Sequence, residues 1–103
     1  MKNREVHILK EAVADLEEGR LFYDRNEEGV GDYFYDSLIS DLEALRFFGG
    51  IHSRKFGLYR MFSKRFPFAV YYEMEKEIVY VVAVLDMRRK PSRIKKNIGK
   101  RKG

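Results

Sequence analysis

The chain has 103 residues, 21 of them Lys or Arg and 16 Asp or Glu, with no cysteine. That length supplies one core rather than two. The absence of cysteine excludes disulfides and thiolate chemistry and fits a reducing cytoplasm, and no apolar run reaches the roughly 18 residues of a membrane span. Residues 1–10 lack the apolar centre of an export signal. Charge is divided along the chain: residues 1–50 carry 6 basic against 12 acidic side chains, and residues 51–103 carry 15 against 4. A clustered positive field in the second half points to an anionic partner, nucleic acid or an acidic protein segment. The alternative is that acidic and basic halves neutralise each other within the fold.

Taken in order, Glu5 to Leu9 reads as a short edge strand. From Lys10 the period changes, and Ala12, Val13, Leu16, Gly19, Phe22 and Tyr23 recur at spacings of three and four. This predicts an amphipathic helix of about four turns, with Glu11, Asp15, Glu17, Glu18 and Arg20 on its outer side. Arg25 to Val30 interrupts it. A second helix is expected from Gly31 or Asp32 to about Phe48, with Phe34, Leu38, Leu42, Leu45 and Phe48 inward and Asp36, Ser40, Asp41 and Glu43 outward; Gly49 and Gly50 end it. Two such helices joined by a short loop form an antiparallel hairpin whose stripes need a sheet to cover.

Ile51 to Gly57 reads as a loop. Three strands follow, Leu58 to Lys64, Phe68 to Met74 and Glu77 to Leu85, the last two joined by a turn of about two residues. The run Ile78 to Leu85 is apolar throughout, as in a central strand covered on both faces. Pro67 suits a strand start, and Tyr71 and Tyr72 alternate, so at least one belongs to the core. The expected fold is α+β: an N-terminal strand, an antiparallel helical hairpin and a three-stranded antiparallel meander, as a single domain over residues 1–91. Residues 92–103 are strongly basic, with Ile94 and Ile98 as their only large apolar side chains, and are expected to stay flexible.

Few residues carry recognisable chemistry. His7 and His52, 45 positions apart and with no cysteine, make no metal site. No phosphate-binding glycine loop follows a strand, there is no nucleophile elbow, and the paired carboxylates Glu17/Glu18 and Glu27/Glu28 fall on solvated faces. No metal or other cofactor is expected. What stands out is the basic set Arg60, Lys64, Arg65, Arg88, Arg89 and Lys90, interleaved with Tyr59, Tyr71, Tyr72 and Tyr80. Forked guanidiniums and tyrosine rings suit RNA or an acidic peptide. Cutting RNA would need, beyond cations for the phosphorane, an acid and a base that are not close by in sequence.

Two stretches carry a family resemblance. Arg65-Phe66-Pro67-Phe68-Ala69-Val70-Tyr71-Tyr72 is followed by Val82-Ala83-Val84-Leu85-Asp86-Met87-Arg88-Arg89-Lys90-Pro91, after a strand and a helical hairpin containing Ala14-Asp15-Leu16-Glu17-Glu18. In this order and spacing the chain up to Pro91 resembles the ParE branch of the RelE/ParE toxin superfamily. The resemblance implies a cytoplasmic bacterial type II toxin of a plasmid-stabilisation system, held as a hetero-oligomer by a cognate antitoxin encoded beside it. ParE proteins inhibit DNA gyrase, whereas RelE proteins cut mRNA on the ribosome. It also implies that Arg88 or Arg89 stands near a RelE-type catalytic arginine, and that Arg60, Lys64 and Arg65 lie on the strands bearing the other cations, with Tyr59, Arg89 and Lys90 joining them in target or antitoxin binding. This chain has Ile94, Lys95 and Lys96 where the terminal Tyr or His of a RelE enzyme would be sought, and Asp86 where many relatives have His. The implied readings are a ParE-like gyrase inhibitor first, a metal-independent ribosome-dependent endoribonuclease using Arg60, Lys64, Arg65 and Arg88 second, and an inactive antitoxin-binding relative third.

Overall fold

The computed structural model describes residues 3–102. In chain order its elements are Glu5–Ile8 (β1), Lys10–Asn26 (α1), Val30–Glu43 (α2), Leu45–Phe48 (α3), Arg54–Lys55 (β2), Leu58–Phe62 (β3), Phe68–Glu75 (β4), Ile78–Asp86 (β5) and Pro91–Lys102 (α4). The expected α+β order is present, with three additions. The second helix is interrupted at Ala44, a two-residue strand lies inside the expected loop, and a helix occupies the expected flexible tail.

The five strands form one sheet in the order β1-β5-β4-β3-β2. β3, β4 and β5 are the antiparallel meander, and β1 adds to the outer side of β5 in parallel, Glu5 opposite Ile78 and Ile8 opposite Val81. A parallel neighbour requires a crossover, which the helical hairpin provides. Gly29, at φ 91°, turns the chain between α1 and α2, and the Asp24 carboxylate accepts the Gly29 and Gly31 N–H groups at 3.0 and 3.1 Å.

Strand alternation divides the apolar residues between two cores. On one face α1 and α2 bury Ala12, Leu16, Phe34, Leu38 and Leu42 against Met61, Phe68, Val70, Tyr72, Val79, Val81 and Val84. Gly19 lets the hairpin close, because a Cβ there would stand 2.5 Å from two ring carbons of Phe34. On the other face α4 lays Ile94 and Ile98 on Leu58, Ala69, Tyr71, Val82, Ala83 and Leu85. The two tyrosines thus serve one core each, both essentially fully buried. A register shift opposite Tyr71/Tyr72 makes Val82 an extra residue in β5, so that Val82 and Ala83 both face α4.

Residues 92–103 were expected to be flexible for want of apolar area. Ile94 and Ile98, one turn apart, nevertheless find a preformed sheet face, and Pro91 suits the first turn of a helix because its missing N–H would have no partner there. Arg101, a further turn on, makes two hydrogen bonds to Asp15, one of 2.5 Å (Nη1 to Oδ2) and one of 2.8 Å (Nη2 to Oδ1). Asp15 and Asp41, expected on outer helix faces, are accordingly buried. Asp15 also accepts the Val84 N–H at 2.9 Å, and Asp41 accepts the Ser63 hydroxyl at 2.8 Å and the Lys64 N–H at 3.3 Å. Conversely Val13, Phe22 and Phe48, expected inward, are about half exposed. Among the described residues no helix is long and apolar enough to cross a membrane.

Candidate functional site

On the α4 side of the sheet, where β3 meets the turn after β5, lies an open groove of about 340 Å³. Lys55, Arg60 and Arg89 supply its charge, and Phe56, Phe62, Tyr71, Met87, Pro91 and Ile94 its apolar walls. Arg60 and Phe62 stand two residues apart on β3 and so project from the same face. The Arg60 guanidinium lies over the Phe62 ring, 4.8 Å from its centre, and Lys55 caps Phe56 at 5.1 Å. Phe62 and Met87 are 54% and 40% exposed, so this rim presents apolar surface to solvent.

Tyr71 forms the floor. Burial raises its pKa, and the nearby Arg60 charge pulls the other way without cancelling the effect. Its hydroxyl therefore stays protonated near neutral pH, able to donate a hydrogen bond and not to act as a base. The described lining offers three cations, one phenol and no carboxylate or imidazole. Such a set is chemically suited to holding an anionic group and to stabilising developing negative charge.

Of the residues singled out in the sequence, the groove brings together Arg60, Tyr71 and Arg89. Arg89 reaches it from the turn after β5 while keeping a Glu18 carboxylate at 3.6 Å. Arg88 points away. It is bound by Asp86, with hydrogen bonds of 2.6 and 2.9 Å from its side chain and 2.9 Å from its backbone N–H, and it donates to the Tyr23 hydroxyl at 3.4 Å. Its hydrogen bonds hold the Asp86 carboxyl below the ordinary carboxylate range and raise the Arg88 pKa.

Tyr59 lies on the opposite face, stacked on Tyr72 at 5.2 Å with the Arg54 guanidinium 4.7 Å over its ring. Lys64 and Arg65 sit exposed in the β3–β4 connection, and Lys90 is exposed ahead of α4. Lys55, Phe56, Phe62 and Met87 were not singled out. The alternation of Arg60 with Phe62 was a readable signal; the return of residues 55 and 56 beside β3 depends on the tight turn at Phe56 and Gly57, both at positive φ.

A second groove, of about 400 Å³, lies across the sheet edge and is lined by Ala44, Phe48, Ile51, Met61 and Phe62, with Asp41, His52 and Lys64 among its polar residues. It borders the outer side of β3 beyond the point where β2 ends, since β2 pairs only with Leu58 and Tyr59. His52 anchors this corner: the Tyr72 hydroxyl accepts the Gly50 N–H at 2.9 Å and shares a hydrogen bond with His52 Nδ1 at 2.5 Å. Desolvation lowers the His52 pKa and raises that of Tyr72.

No family model matches the sequence, and no curated protein matches it. Among solved structures the chain is similar to one described as a chromosomal ParDE TA system from P. aeruginosa, with a TM-score of 0.70 and 14% identity over 79% of this chain and 92% of that one. At that identity the likeness is one of fold, in agreement with the α+β arrangement expected from the sequence.

Proposed function

We propose that the chain is the toxin of a bacterial type II toxin–antitoxin pair, ParE-like in action. On this reading it arrests growth by binding a cellular target such as DNA gyrase and is neutralised in the cytoplasm by a cognate antitoxin. The observation that carries the reading is the groove of Lys55, Arg60 and Arg89, whose described lining has cations and an apolar rim but no proton acceptor suited to RNA cleavage. A fold shared with a ParDE chain supports the class of protein. The antitoxin is assigned to the second groove, where Phe48, Ile51 and Phe62 are 53%, 72% and 54% exposed beside an open strand edge. Such an edge accepts an extended segment by strand addition, with apolar side chains anchored alongside.

A ribosome-dependent endoribonuclease is the second reading. It is favoured by the groove that Arg60, Arg89 and Tyr71 line together, whose cations could stabilise a phosphorane with the ribosome supplying the remaining chemistry. Pulse labelling just after induction separates the readings. An early fall in DNA synthesis with continuing translation, together with loss of supercoiling by purified gyrase, is the expected result. Prompt translation arrest with new mRNA ends would transfer the assignment to the nuclease, and harmless induction would leave an inert antitoxin-binding module.

A further inference from the structure

Helix α4 fixes a second set of cations that the Arg60 groove does not use. Ile94, Ile98 and Arg101 turn one stripe into the protein, leaving Arg93, Lys95, Lys96, Lys100 and Lys102 exposed. Residues 87–102 contain no Asp or Glu. Among the described residues, no carboxylate lies within ion-pair distance of these five. Lys95 and Lys102 border Phe56, and Lys102 lies against Gly57, so that the positive surface of α4 reaches the turn between β2 and β3. Like charges this dense on one helix repel one another. Their repulsion is relieved when a polyanion covers them.

We propose that this face binds the phosphate backbone of double-stranded DNA without reading its sequence. An anionic membrane is the poorer fit, because Ile94 and Ile98 are committed to the core and leave no apolar side to insert. Single-stranded nucleic acid calls for stacking platforms, and the exposed face of α4 carries no aromatic residue. An A-form duplex hides its major groove from side chains. B-form DNA presents a groove of about 12 Å that admits a helix, and α4, about 18 Å long at 1.5 Å per residue, can lie along it with lysines reaching phosphates on either side. Four of the five cations are lysines, point charges rather than base-reading forks, so binding is independent of sequence. Phe56 separates this surface from the Arg60 groove, and the proposal does not depend on the toxin reading.

The test is fluorescence anisotropy of the whole chain with a mixed-sequence DNA duplex about two helical turns long. With five phosphates neutralised, affinity is expected to fall about 500-fold between 50 and 200 mM salt. The variant Arg93→Gln/Lys96→Gln/Lys100→Gln, its fold checked by thermal melting, should bind at least tenfold more weakly at the lower salt, and its salt response should shrink to about 12-fold. Lys95→Gln/Lys102→Gln repeats the test on the other flank, and Lys10→Gln/Arg25→Gln, on the hairpin, should change nothing. The proposal is overturned by absence of binding at low salt, or by an unchanged salt response in both α4 variants. Tighter binding to single-stranded RNA or to polyglutamate would overturn it too.

Discussion

Arg101 and Asp15, 86 positions apart, close the fold around the edge of β5. Asp15 approaches from α1 on one face of the sheet and Arg101 from α4 on the other. They meet where β1 has ended, and Asp15 there accepts the Val84 N–H while Arg101 donates to the Val82 carbonyl at 3.3 Å. The pair is a clamp: its side chains are 7% and 15% exposed. Arg101→Ala strands a buried carboxylate and should cost about 3 kcal/mol in urea unfolding. Adding Asp15→Asn removes the buried charge and keeps an acceptor for Val84, so the double variant with Arg101→Leu should recover most of that loss. A double variant as unstable as the single would show that packing, not charge, is what Arg101 supplies.

Gly19 sits where the two long helices touch. Its added methyl would meet the Phe34 ring, which is itself held by Tyr23, Phe66 and Phe68 at centre distances of 4.8 to 5.1 Å. Gly19→Ala should therefore destabilise by about 1–3 kcal/mol, despite alanine's better helix propensity. A neutral or stabilising result in thermal melting would mean the ring moves aside freely.

His52 makes stability depend on pH. Because desolvation lowers its folded pKa, the imidazole favours the neutral form when folded. The contribution is fully present above the ordinary value of about 6.5 and is lost as pH falls through the lowered folded value, since the unfolded chain binds the extra proton first. His52→Gln should flatten the pH dependence of the unfolding midpoint below 6.5. An unchanged slope would assign the dependence to another group. Asp86 adds a second loss of the same sign at more acidic pH, below the ordinary carboxylate range, where its hydrogen bonds from Arg88 fail.

Arg60→Ala and Arg89→Ala should each relieve growth arrest on induction, and together abolish it, because they face one groove. Lys64→Ala and Arg65→Ala, in the β3–β4 connection, should leave toxicity intact. Counting colonies after induction, with protein level checked by blotting, decides the matter; equal relief from all four would mean that overall charge, not the groove, carries the activity.

Helices and strands were legible because each keeps one hydrophobic period over several turns or pleats. The continuous run of β5 announced a strand covered on both faces, although the segment that covers the second face, α4, was expected to stay flexible. Ile94 and Ile98 alone carry too little area to predict order, and Arg101 reads as solvated charge until Asp15 is seen opposite it. Asp15 was read on the outer side because it is charged, although it stands three residues after Ala12 and next to Leu16, at the border of the inward stripe; neither its burial nor its partner was read. Arg60 with Arg89 required the β3 and β5 ends to be placed together, which the meander implied. The separation of Arg88 from Arg89 did not follow from sequence, because a tight turn sends neighbours to opposite faces. Lys55 joined them only through a two-residue strand, too short to leave a periodic signal.

The parallel pairing of β1 with β5 sets an order of events during synthesis. The chain emerges N-terminus first, so β1 and the whole helical hairpin leave the ribosome before Ile78–Asp86 exists. α1 and α2 are local structure and can pair early, but the stripe of Ala12, Leu16, Phe34 and Leu38 then has no sheet beneath it. The nascent hairpin is a sticky intermediate whose lifetime is set by the rate at which the meander is translated. Slow codons between residues 50 and 86 would lengthen its exposure to chaperones and proteases, and with it the fraction of chains that never reach the folded state.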